Sequence, residues 1–202
     1  MKNNFNIVAP FYDALARLVF GYRLELAQQY FLEEVKPNTQ VLIVGGGSGK
    51  ILEWLPKDLN LKVDYVELSD GMLNRAMKRE QHGNHISFKR KDVFEVNDSY
   101  NIIITNFFLD CFPEEKLIEV ITHLNARLKE KGAWLVTDFS LPANSRQRIL
   151  LWTMHTFFRL LARLESTKLQ DIRGILALSG LKIRKEKLFS EQLIFSAVYR
   201  KG

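Results

Sequence analysis

Val41-Leu42-Ile43-Val44 runs directly into Gly45-Gly46-Gly47-Ser48-Gly49, and a helical segment, Lys50 to Leu55, opens from that turn. A second apolar run, Leu61-Lys62-Val63-Asp64-Tyr65-Val66, follows and ends on Glu67. Each apolar run reads as a buried strand, and the unit is strand, glycine turn, helix, strand, carboxylate. Its glycines let the backbone approach a ligand closely. The acid, 18 residues beyond Gly49, is placed to accept hydrogen bonds from ribose hydroxyls. A dinucleotide turn, G-x-G-x-x-G, fails at its third position, because Lys50 carries a side chain there. A P-loop fails too, since its first glycine falls on Val44 and its hydroxyl on Ile51. What remains is G-x-G-x-G, Gly45, Gly47 and Gly49, and a bound nucleoside is the economical explanation.

Composition sets the bounds around this unit. The 202 residues suit one domain with a sizeable core, and 47% hydrophobic with 26% charged content fits a globular chain. A single cysteine, Cys111, excludes an internal disulfide and a cysteine metal cluster. The expected location is cytoplasmic, since no run has signal-peptide character or the length to span a bilayer. The net charge of +6 is uneven. Residues 141–202 hold 12 Lys and Arg against 4 Asp and Glu, and the first 140 hold 17 against 19. A basic last third suits a solvated face, an anionic substrate, a membrane surface or nucleic acid.

Before the glycine turn, Pro10 suits the start of a helix reaching about Phe20, and a second helix is expected from Tyr22 to about Val35. After Glu67, Ser69 or Asp70 can cap a helix containing Met72, Leu73 and Met77. A short strand at Ile86-Ser87-Phe88 leads to Asp92-Val93. Tyr100 to Thr105 is apolar enough for the centre of a parallel sheet, and Pro113 precedes a helix from Glu114 to Leu128. A strand at Lys131 to Phe139, a long helix from Asn144 or Ser145 to about Leu164, a helix at Leu169 to Ser179 and strands at Leu181 to Leu188 and Gln192 to Tyr199 complete the reading.

The G-x-G-x-G turn, Glu67 beyond it and the order of the later segments resemble the class I S-adenosylmethionine-dependent methyltransferases. The segment Phe5 to Asp13 is similar to the leader of those acting in ubiquinone and menaquinone biosynthesis. The resemblance implies an α/β, Rossmann-like fold: a seven-stranded, mostly parallel sheet with helices on both faces, its last strand antiparallel. One domain spans 1–202, with an N-terminal helical cap over 1–36, a cofactor-binding core over 37–140, and lid helices and final strands over 141–202. It implies S-adenosylmethionine as cofactor and S-adenosylhomocysteine as product. The cofactor-binding positions carried over are Tyr12, Gly45, Gly47, Gly49, Glu67, Leu68, Met72, Asp92, Val93 and Asn106.

The implied activity is methyl transfer to a small, apolar or aromatic acceptor, by a monomer or homodimer, with nucleic acid not expected as a partner. Phe107, Phe108 and Tyr12 are aromatic faces suited to a sulfonium. Asp110, beyond the fourth strand, and His155, on the expected lid, are the candidate bases. No metal is expected: His82 and His85 flank a Gly83-Asn84 turn with no cysteine beside them. One departure stands out. Where the family has an acid two residues before its first glycine, this chain has Ile43. The alternative is therefore a non-catalytic binding protein of the same fold, using its basic C-terminal third toward an acidic partner or a membrane surface.

Overall fold

The computed structural model describes residues 21–145, 147–148 and 170–202. The expected helix from Pro10 to Phe20, with Tyr12, and most of the expected lid helix, with His155, lie outside the described residues.

The strands are β1 (Gln40–Val44), β2 (Lys62–Val66), β3 (His85–Lys89), β4 (Tyr100–Asn106), β5 (Leu128–Phe139), β6 (Leu181–Phe189) and β7 (Ile194–Lys201). They form one seven-stranded sheet in the order β3-β2-β1-β4-β5-β7-β6. β1 pairs in parallel with β2 and β4, and β7 is antiparallel to both β5 and β6. Four α-helices lie wholly within the described residues: α1 (Arg23–Gln29), α2 (Asp70–Ala76), α3 (Glu114–Arg127) and α4 (Ile172–Leu178).

β1 shows why the sheet is buried on both faces. Leu42 and Val44 join Ile103, Trp134 and the apolar stripe of α3, Leu117, Val120, Ile121 and Leu124. Val41 and Ile43 point the other way, into a cluster with Leu32, Ile51, Leu52, Leu73 and Ala76. Successive side chains alternate faces, so a run of four apolar residues supplies both layers. The Trp134 indole donates to Thr105 Oγ1 at 2.9 Å, which satisfies the one polar group of a side chain that is otherwise wholly in the core.

Two helices whose residues line the cavity are shorter than the sequence suggests. The one expected from Tyr22 to Val35 ends at Gln29, and a 3₁₀ turn, Leu32–Glu34, follows. Phe31, Leu32 and Val35 all turn onto the sheet, and that burial overrides helix propensity. The segment after the glycine turn is a 3₁₀ helix, Lys50–Trp54. Leu55 is extended at ψ 140° because Pro56 disfavours a helical residue before it. No helix among the described residues is long and apolar enough to cross a membrane.

Candidate functional site

The strand order reverses between β1 and β4, and a cavity of about 190 Å³ opens there beyond the carboxyl ends of β1, β2 and β4. Gly45, Gly47, Glu67, Leu68, Met72, Asp92, Val93 and Asn106 all line it.

The glycines divide into distinct jobs. Gly45 adopts φ +62°, and a Cβ there would overlap the Phe108 ring. A Cβ on Gly46 would enter the Tyr65 ring, whose hydroxyl donates to the Gly47 carbonyl at 3.0 Å. Gly49, at φ +80°, lies against the backbone of Ala76 and is absent from the cavity lining, so its absent side chain lets α2 approach the turn. Gly47, at φ +62°, differs: its Cβ would meet nothing within 4 Å. The space it leaves is cavity.

Glu67 is buried beside that space. Its Oε2 accepts the Gly47 amide at 3.0 Å and its Oε1 accepts the Ser69 amide at 2.8 Å. Burial pushes its pKa above the usual glutamate value, opposed by hydrogen bonds from the amides of Ser69, Gly47 and Leu68. Three amide donors leave a carboxylate acceptor capacity to spare, facing the cavity. Ser69 also caps α2, its Oγ accepting from Met72. Asp92 caps the 3₁₀ turn Val93–Glu95, its Oδ1 accepting the Phe94 amide at 3.1 Å while Glu95 accepts the Asp92 amide at 2.8 Å. That reciprocal cap fixes Val93 on the cavity wall.

The segment after β4 supplies an apolar wall. Phe107 sits at φ +51°, an uncommon conformation for a bulky residue, held by its amide donating to Thr137 at 2.8 Å and by ring contact with Phe139 at 5.0 Å. Phe108 packs edge-on to Phe112 at 5.0 Å. Phe107, Phe108 and Phe112 line the cavity with Cys111.

Asp110 does not line the cavity. It turns back into the protein, where it raises the pKa of Asp138. Asp138 is fully buried and accepts the amides of Leu109 at 3.1 Å and Phe139 at 2.9 Å. Burial first, then Asp110, pushes the Asp138 carboxyl well above its ordinary value. Burial, then Asp110 and Asp138, likewise holds Cys111 as the thiol. The sequence reading missed Asp138, whose position at the end of a buried strand was its only signal. It also missed Leu24, Glu25 and Gln28 of α1, and Lys50, which line the cavity from the side of Gly21. No cluster of potential metal ligands exists among the described residues.

Residues 41–132 match the family described as a methyltransferase domain. No curated protein matches the chain. Among solved structures, the chain resembles magnesium protoporphyrin IX methyltransferase of Synechocystis PCC 6803 with bound SAH (TM-score 0.69, 18% identity, 100% of this chain and 98% of that one). A second is an S-adenosylmethionine-dependent methyltransferase from Clostridium acetobutylicum (TM-score 0.65, 16% identity, 98% and 99%). A third is mitomycin 7-O-methyltransferase (TM-score 0.70, 14% identity), of which the chain, matched over 95% of its length, spans only 57%. The matched segment covers less than half of the chain, and the sheet order with these structural similarities shows the Rossmann-like fold of the class I methyltransferases.

Proposed function

We propose that the protein binds S-adenosylmethionine and transfers its methyl group to a small apolar or aromatic acceptor. One observation carries the reading: one cavity is lined both by Gly47, Glu67, Met72 and Val93 and by Phe107, Phe108 and Phe112. The first set suits a nucleoside. Glu67 accepts the ribose hydroxyls, Asp92 and Val93 meet the adenine edge, and Leu68 and Met72 flank its faces. The second set suits an apolar acceptor and a sulfonium, which is attracted to aromatic faces.

When bound, the cofactor supplies an electrophilic methyl group on sulfur. The protein's task is to align the acceptor with it and exclude water, and alignment of that kind removes on the order of 7 to 11 kcal/mol of barrier. Asn106 and the backbone around Phe107 hold the end of β4 at the point where the two reactants meet. Asp110 lies behind the cavity wall, so direct proton removal by its carboxylate is not part of this reading; His155 keeps the candidate-base role given above. The similarity to solved methyltransferases supports the cofactor, and the phenylalanine wall supports the acceptor class.

The competing reading, a binding protein without catalysis, is favoured by Ile43, which is buried and apolar where the family pattern given above has an acid. Incubation with methyl-labelled S-adenosylmethionine and a panel of phenols, catechols and quinols separates the two. Labelled product with release of S-adenosylhomocysteine is expected. Saturable cofactor binding with no transfer to any aromatic acceptor would favour the second reading.

A further inference from the structure

The cavity carries a charge pair that the roles above leave unused. Lys50 Nζ and Glu25 Oε1 are 3.1 Å apart, and both residues line the cavity. Their side chains are 29% and 22% exposed, so the pair is shielded by the wall without being sealed inside it. They come from different parts of the chain. Lys50 opens the 3₁₀ helix after the glycine turn, and Glu25 sits in α1 with Leu24 and Gln28.

The other acids of the cavity have work of their own. Glu67 holds the amides of Gly47 and Ser69, and Asp92 caps the turn at Val93. Lys91 donates to the Glu95 carbonyl at 3.2 Å. Beside the glycine turn the wall offers Ile43, which has no charge to give. A ligand with a nucleoside at one end and an amino acid at the other presents an α-ammonium and an α-carboxylate to the rest of the cavity. A Lys–Glu pair is the complement of that zwitterion, carboxylate to ammonium and ammonium to carboxylate.

We propose that Glu25 and Lys50 are the recognition pair for the amino-acid end of the cofactor, Glu25 taking the α-ammonium and Lys50 the α-carboxylate, in place of the acid that Ile43 replaces. The assignment rests on the cofactor reading above. Its consequence is that the amino-acid end of the ligand meets α1 and the segment after the glycine turn together.

The test compares two ligands that share the nucleoside and thioether: S-adenosylhomocysteine, which has the amino-acid end, and 5′-methylthioadenosine, which lacks it. Calorimetric titration of the wild type, Glu25→Gln and Lys50→Met measures both. The expected result is a loss on the order of tenfold in S-adenosylhomocysteine affinity for each variant, with 5′-methylthioadenosine affinity within about twofold of wild type. Retained 5′-methylthioadenosine binding also shows that the variants fold. Variants that keep their full S-adenosylhomocysteine affinity, or that lose both ligands in parallel, overturn the assignment. A wild type that binds neither ligand overturns the cofactor reading itself.

Discussion

Glu67 accepts the backbone amide of Gly47 at 3.0 Å, so the carboxylate at the end of β2 is tied to the turn at the end of β1. The same carboxylate accepts the Ser69 amide and thereby fixes the entry into α2. One side chain therefore shapes the cavity as well as facing it. Replacing Glu67 by alanine leaves buried amides unpaired and is expected to lower stability by about 1 to 3 kcal/mol, read as a lower denaturant midpoint. A variant as stable as the wild type would show that the turn holds itself.

Protonation of Glu67 has a defined direction. Burial raises its folded pKa, so acidification protonates it sooner than an exposed glutamate. Affinity for S-adenosylhomocysteine should fall as pH drops through that raised value, and the residual affinity of Glu67→Ala should lack this step. Titrations across a pH series check it. Parallel pH profiles for the two proteins contradict a ribose-binding role for the carboxylate.

The glycines predict opposite outcomes on substitution. Gly47→Ala places a methyl group in open cavity at φ +62°. It should cost about 1 to 2 kcal/mol of backbone strain while blocking the cofactor. Gly49→Ala drives a methyl group into the Ala76 backbone and should unfold more easily than Gly47→Ala. Thermal denaturation and ligand binding together sort the two. Equal stability losses contradict the division of roles.

How much of this was legible beforehand follows from which contacts are local. β1, its glycine turn and β2 are visible because a fully buried parallel strand is a short apolar run and the turn needs glycine. The start of α2 is visible because Ser69 is a local cap. The end of α1 is not, because Phe31 and Val35 are pulled onto strands far away in sequence. Asp110 drew attention as a residue just past β4, yet its partner Asp138 lies one strand further on, and only the parallel pairing of β4 with β5 brings them together. The pair Glu25–Lys50 is likewise tertiary.

The buried acids make a prediction about pH and stability. Asp138 has a raised folded pKa, so its contribution is fully present below the unfolded carboxylate value and is lost as pH rises through the folded value. Removing the neighbouring charge with Asp110→Asn lowers that folded value and should shrink the loss. The difference in melting temperature between about pH 4 and pH 8 should therefore be smaller in Asp110→Asn than in the wild type. An unchanged or larger difference contradicts the coupling.

The central claim is that this cavity holds S-adenosylmethionine against Glu67. Its most direct test is calorimetric titration of the wild-type protein and Glu67→Ala with S-adenosylmethionine and S-adenosylhomocysteine. Saturable one-site binding of both ligands is expected, weakened at least about tenfold in the variant. Absence of heat and of any thermal shift at millimolar ligand, or equal affinity in the two proteins, would contradict it.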